Sequence, residues 1–389
     1  MTALVAGLRS TYDKRPIAAT GPASAVRVGR DAAVAALAGT GAAVTVIDAY
    51  PGVRRADLAP LARATGAELV VDTADALLPS THIDRLVAPD LGTDPVFGRI
   101  TSLTMDAFFD PLWLAAVRAT VARARSAGRR VVVHGVGASF VVPDGDVVVL
   151  ADLPRWEAQQ RQRAGETDGL GGEVTGLRPS QRYKRSFFVE WRVADAHKRA
   201  VLARADFVLD TVDGDRPVLV DGDAVRAALA DAARRPFRVV PFFDPAPWGG
   251  RWMEAVCDLP PSPSNYGWCF DCVPEENSVL LGFGATSVEL PALDLVHRHG
   301  VDVLGREVHE RFHGEFPIRF DFLDTVGGGN LSLQVHPLES YLAETFGAGS
   351  GHGWTQHESY YVLDAVDGAS VYLGLRADAD VDAMFAELK

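Results

Sequence analysis

Five short apolar runs, interleaved with helix-forming stretches, occupy the first 210 or so residues and constrain the fold more than any other feature. They are AAVTVIDAYPG at 42–52, with Asp48 closing its apolar part, ELVVDT at 68–73, RRVVVHGVGAS at 129–139, DVVVLADLP at 146–154 and ADFVLDT at 205–211. None alternates apolar with polar residues, as a strand with one wet face would, so each reads as a strand covered on both faces. Residues 30–38 are helix-forming and are stopped by Gly39 and Gly41; further helices are read at about 57–65 and 110–127. Strands that alternate with helices predict a parallel, doubly wound α/β sheet.

The pattern changes near residue 215. One more helix is read at 223–235, with Asp223 as its N-cap. From Pro236 onward the chain is rich in Pro, Gly, Phe and Trp, with short strands read at 237–243, 278–284, 286–293, 331–337, 357–365 and 369–375. Short strands separated by turn residues predict an all-β barrel or sandwich. The expected organisation is therefore an α/β domain at 1–212, a linker and helix at 213–235, and a β domain at 236–389. The stretch 164–182 reads as a loop within the first domain.

With 48% hydrophobic and 23% charged residues over 389 positions, two or three cored domains are expected. No apolar run reaches the length of a membrane span, and the N-terminus offers no secretory cleavage pattern. The formal charge of −13 argues against nucleic-acid binding. Three cysteines, an odd number, suit reduced thiols and a cytoplasmic setting. Cys269 and Cys272 form a CxxC, but no second ligand pair stands at zinc-ribbon spacing and a Pro-Glu-Glu-Asn turn follows, so structural thiols are expected.

The chemistry is most legible near the C-terminus. In LSLQVHP, Ser332, Gln334 and His336 share one face of a strand, and Glu358 lies on the next expected strand with Tyr360 and Val362 on its side. An amide oxygen, an imidazole and a carboxylate make a mixed site suited to a zinc-like divalent ion. On spacing alone, His336 is equally readable as a turn histidine before Pro337, and Glu358 as a solvated strand residue.

The wording of these motifs resembles the type I mannose-6-phosphate isomerases, cupin-fold metalloenzymes. LSLQVHP, the downstream ESYY and VYLGL carry the likeness, with PWGGRWM at 247–253, PEENSVLL at 274–281 and FPIRFDFLD at 316–324, over residues 236–375. The resemblance implies a cupin-like barrel, a Zn2+ cofactor held by Gln334, His336 and Glu358, and Ser332 and Trp248 as substrate contacts. It also implies interconversion of mannose 6-phosphate and fructose 6-phosphate. Two departures stand out. Asp321 occupies the place of a family lysine, leaving Arg319 as the catalytic cation. The family's fourth ligand, a later histidine, is not reached before Lys389, so a truncated barrel, or a site completed by water, is expected. His352 and His357 are the remaining histidines nearby, and His357 should face away from Glu358.

The N-terminal half resembles nucleoside and sugar kinases of the P-loop class in its strand ending at Asp48, its GVGAS and its arginine-rich DVVVLADLPRWEAQQRQRAG, with Arg155, Arg161 and Arg163 near where phosphates would lie. No GxxxxGK[ST] occurs, so a kinase-like domain without ATP chemistry is expected, and Gly135-Val136-Gly137 reads as a tight turn. The basic stretch 182–199 reads as a solvated helix face, with Lys184, Arg185 or Lys198 as alternative phosphate contacts. The leading function is a metal-dependent sugar-phosphate isomerase. The alternatives are a non-catalytic metal or sugar-phosphate binder and a phosphotransferase.

Overall fold

The computed structural model describes residues 10–387 apart from 168, 173, 175, 263, 313 and 348–353. In chain order its strands are β1 (Ile17–Gly21), β2 (Val26–Val28), β3 (Val44–Ala49), β4 (Leu69–Asp72), β5 (Val131–Val136), β6 (Val147–Asp152), β7 (Phe207–Asp210) and β8 (Val218–Asp221). They continue with β9 (Phe242–Asp244), β10 (Trp268–Cys272), β11 (Ser278–Phe283), β12 (Thr286–Pro291) and β13 (Phe320–Leu323). The helices used below are α1 (Arg30–Gly39), α2 (Arg55–Ala64), α3 (Ser80–Leu91), α4 (Pro111–Ser126), α5 (Ala138–Val141), α6 (Arg155–Arg163), α7 (Pro179–Arg185), α8 (Trp191–Arg204), α9 (Gly222–Ala232), α10 (Trp252–Val256) and α11 (Ala292–Leu304).

Seven strands form one sheet in the order β2-β8-β7-β6-β3-β5-β4. Five consecutive members, β7-β6-β3-β5-β4, run parallel up to the β4 edge, and β8 and then β2 add beside β7, each antiparallel to its neighbour. β3 and β6 are buried along their whole length, which is why they carry uninterrupted valine, isoleucine and leucine. Local signals set the helix ends. Asp110 accepts from the Leu112 and Trp113 amides and Pro111 occupies the first turn of α4. Gly41, at φ +69°, carries the chain out of α1.

The α/β expectation for the first part is met, element by element. The stretch read as linker and helix instead supplies β8 and α9 to the same sheet. β1 leaves that sheet altogether and pairs in parallel with β11, in a three-stranded sheet of order β1-β11-β12. One core cluster joins the two parts: Val148, Leu150, Val208 and Val220 of the large sheet pack with Val279, Leu281, Phe283, Val288 and Leu290 of the hairpin and with Leu295 of α11. Gly21 makes room for this packing, since a Cβ there would stand 2.3 Å from the Phe283 ring.

A third sheet, β13-β10-β9, is antiparallel. Aromatic rings line up beside it: Trp156 stacks on Phe242 at 4.2 Å, Phe242 on Phe270 at 4.7 Å, and Phe270 on Trp268 at 5.3 Å. The strands expected at 331–337, 357–365 and 369–375 do not form, and a helix stands at Glu339–Phe346. The described residues of the second part thus supply five strands to two three-stranded sheets, the sixth strand being β1 of the first part. The alternating pattern of 331–337 leaves Leu333 and Val335 exposed, and an extended segment without a partner strand has no ladder to hold it. No helix of the described residues is long and apolar enough to cross a membrane.

The shared core generates an expectation. Phe283→Ala should cost about 3–5 kcal/mol, the usual range for emptying a buried phenylalanine site. It should do so in one transition that takes the large sheet with it, read by urea denaturation followed by far-ultraviolet and tryptophan signals. Two separated transitions would show that the hairpin and the sheet are independent.

Candidate functional site

In an open parallel sheet, ligands lie outside the carboxyl ends of the strands, where neighbouring connections leave in opposite directions. Here β3 leads through α2 towards β4 on one side, and its neighbour β6 leads to β7 on the other. Asp48, Asp152 and Asp210 stand at or beside the carboxyl ends of β3, β6 and β7, and all three are buried.

This crevice is filled from within. Lys198 on α8, 3% exposed, places its ammonium 3.1 Å from Asp152 and 2.7 Å from Asp294, over the Tyr50 ring. Arg155 pairs with Asp195, donates to the Tyr50 hydroxyl at 3.2 Å and lies over the Trp191 ring; Tyr50 in turn donates to Asp195 at 3.0 Å. Asp48 takes the Ser139 amide at 2.6 Å and meets His197 Nε2 at 2.7 Å. Asp210 accepts from the amides of Val212 and, across the two parts, Glu289. Burial opposes the Lys198 charge, yet Asp152 and Asp294 hold its pKa above the ordinary lysine range. Burial, with the Asp152 charge added, holds Asp294 well above the usual carboxylate range.

The turn between β3 and α2 shows the same closure. The Tyr50 amide is bonded to Ala151 O and the Val53 amide to Tyr50 O, while Gly52 O accepts from Arg161. A phosphate-cradling loop keeps such amides free and aimed at the anion. Here the Tyr50 and Val53 amides are committed to the protein.

The arginines and lysines of this half are placed accordingly. Arg155 and Arg161 are buried, the latter donating to the carbonyls of Gly52, Thr211 and Val212, and Arg163 lies 3.6 Å from Asp244. Lys184, Arg185 and Lys198 are buried too, which corrects the expected solvated face. Their partners, Asp94 O for Lys184, Asp84 and Glu190 for Arg185, and Asp152 and Asp294 for Lys198, lie mostly far away in the chain, where helical spacing carries no trace of them.

The second set of candidate residues lies near the C-terminus. His336 Nε2 stands 3.2 Å from Glu358 Oε2, so the fold brings these two together although neither expected strand forms. Two ligands about 2.0–2.1 Å from a tetrahedral ion stand about 3.3 Å apart, so the pair fits a zinc-like site. Gln356 donates to the same Glu358 oxygen at 3.2 Å. Tyr360, expected on that side, hydrogen-bonds Glu358, which pushes its phenol up to about 12. Asp321 is raised by burial and by the Glu358 charge. Gln334 and Ser332 are exposed on the same segment as His336. Among the described residues no three His, Cys, Asp or Glu side chains are grouped so that they could hold a metal ion. Arg319 is held by Glu275 and by the Phe316 and Ile318 carbonyls. Trp248 is 6% exposed and packs edge-on against Trp268. His352 lies outside the described residues, and His357 is exposed. Cys257, Cys269 and Cys272 are free thiols, each raised by burial.

A family sequence profile, described as Domain of unknown function (DUF8485), matches residues 29–234, just over half of the chain. The chain belongs to that family. The DUF8485 match starts just after β2 and ends after α9, and so covers the large sheet except β2, with its helices. Lys198 and Asp152 are inside it, and Asp294 is outside. No protein of curated function and no solved structure matches the chain.

Two buried groups give the crevice opposed pH dependences. Burial draws His297, whose sealed ring nitrogens have no hydrogen-bond partner among the described residues, down to about 3 from 6.5. Within that window the unfolded chain binds the extra proton, so this group makes stability fall as pH falls. Burial lifts Asp210 to about 7 from 3.8, so the folded chain holds the extra proton and stability falls as pH rises through that window. The two offset each other in the parent. Asp210→Asn should therefore lose stability on acidification from about pH 6.5 towards 4, by up to ~1.4 kcal/mol per unit, and His297→Gln on raising pH over about the same range. Urea midpoints at a series of pH values check this, and parallel profiles for the two variants would contradict it.

Proposed function

We propose that the chain is a metal-dependent aldose–ketose isomerase of the mannose-6-phosphate isomerase type. Its chemistry would lie in the second part, and its DUF8485 domain would serve as a scaffold without phosphotransfer. The observation that carries this reading is the 3.2 Å approach of His336 Nε2 to Glu358 Oε2, two residues that the isomerase-like motifs single out. His336, Glu358 and Gln334 would hold a zinc-like ion within a cupin-like fold. When bound, such an ion polarises carbonyl and hydroxyl oxygens of a sugar phosphate. Tyr360 and Gln356 orient the Glu358 carboxylate by hydrogen bonds, as groups behind a metal ligand do. The committed amides and paired cations of the sheet crevice speak against ATP chemistry in the first part. Three free thiols suit a reducing, cytoplasmic setting.

A binding-only role is the second reading. It is favoured by Arg319 being engaged with Glu275 and by Trp248 being buried, since neither is presented as a substrate contact.

Zinc titration of the whole chain by calorimetry tests the proposal, together with turnover of mannose 6-phosphate in a coupled assay with and without chelator. One zinc per chain is expected. His336→Ala should weaken binding at least tenfold, and the pair Cys269→Ser with Cys272→Ser should leave it unchanged. Chelator-sensitive turnover supports the isomerase, and zinc binding without turnover supports the binding-only role. Zinc binding that survives His336→Ala would remove the site.

A further inference from the structure

Between the DUF8485 domain and the third sheet lies a cavity of about 640 Å³, within the size range of small-molecule sites. It shares no residue with the His336–Glu358 pair. One wall is aromatic: Trp156 of α6, Phe242 of β9, Phe270 of β10, and Tyr183 and Phe187 around the end of α7. Stacking already holds these rings rigid, with Trp156 on Phe242 and Phe242 on Phe270, and the Tyr183 and Phe187 rings 6.0 Å apart. The faces of these stacked rings are covered by one another, by Trp268 and by Arg163 over Trp156. The column therefore offers a rigid row of ring edges, which favours a flat aromatic ligand packed edge to face, at little cost in conformational freedom.

The charges on the other walls specify the rest. Arg163, Arg182 and Lys184 face only two lining carboxylates, Asp244 and Glu276. Arg163 lies 3.6 Å from Asp244, and Glu276 accepts the Tyr183 hydroxyl. Arg182 donates to the carbonyls of Gln162 and Thr167, and Lys184 to that of Asp94, contacts that fix the cations without neutralising them. A local excess of positive charge in a chain of formal charge −13 favours an anion. Independently, Gln159 lines the cavity while only 6% exposed, and its amide nitrogen has no hydrogen-bond partner among the described residues. A buried donor without a partner is rare in a finished structure, and an acceptor on a ligand would satisfy it.

We propose that this cavity is a binding site for a small planar aromatic compound carrying one anionic group. The ring lies along the Trp156–Phe242–Phe270 wall, and the anion is turned towards Arg163, Arg182 and Lys184. Because both parts of the chain line the cavity, the ligand also holds them together.

The test uses the full chain and 4-nitrophenyl phosphate, with 4-nitrobenzoate, inorganic phosphate and neutral 4-nitrobenzyl alcohol as comparisons, followed by calorimetry. Both aromatic anions should bind, and the tighter of the two identifies the anionic group. Inorganic phosphate and the alcohol should bind at least tenfold more weakly. Gln159→Leu and Arg163→Gln should each weaken the aromatic anions at least fivefold, with unchanged melting temperature and unchanged zinc binding. Phosphate binding as tightly as its aryl ester would overturn the aromatic part. Affinity unaffected by both substitutions, or no binding of either aromatic anion by the parent, would overturn the site.

Discussion

A single ammonium, that of Lys198, sits where the two parts of the molecule meet, and its burial sets conditions on everything around it. Removing an ion from water carries a penalty of several kcal/mol, which only close partners offset. Asp152 supplies one from the end of β6, and Asp294 supplies the other from α11. The first belongs to the large sheet and the second arrives with the second part of the chain. The sheet, α8 and α11 are therefore bound to one another by a charge that none of them satisfies alone.

That joint explains why the crevice of this α/β sheet is not an open ligand site. Its position is the usual one for a bound anion, but carboxylates of the protein occupy it. The Tyr50 and Val53 amides of the β3–α2 turn are bonded internally, and Arg155 and Arg161 are engaged with Asp195, Tyr50 and backbone carbonyls. A DUF8485 domain built in this way holds its neighbour in place, and its concavity is moved to the seam with the third sheet, where the aromatic wall stands. The His336–Glu358 pair lies apart from both.

Much of the first part was legible because burial on both faces writes itself into composition. Val44, Val46 and Ile47, or Val147 to Leu150, have no wet neighbour and so no polar alternation. The parallel pairing of β1 with β11 was not legible, since partners such as Ala19 and Leu281 lie far apart in the chain and leave no local trace. Long-range partners were hidden for the same reason: Lys184, Arg185 and Lys198 read as surface residues until the Asp94 carbonyl and the carboxylates of Asp84, Glu190, Asp152 and Asp294 are placed. The C-terminal motif shows the converse. His336 and Glu358 were picked out by residue type and wording and do meet, whereas the strands assumed to carry them do not form, because their apolar alternation finds no partner strand to pair with.

The closure of the crevice by the Lys198 joint is tested most directly by native-state hydrogen exchange resolved by segment. If the joint binds the two parts, amides of β6, α8 and α11 should exchange through one common opening, at a rate set by global unfolding. Replacing Lys198 by methionine should then release α11 and the β11–β12 hairpin ahead of the sheet. Fast, independent exchange of α11 in the parent chain, with β6 still fully protected, would contradict this.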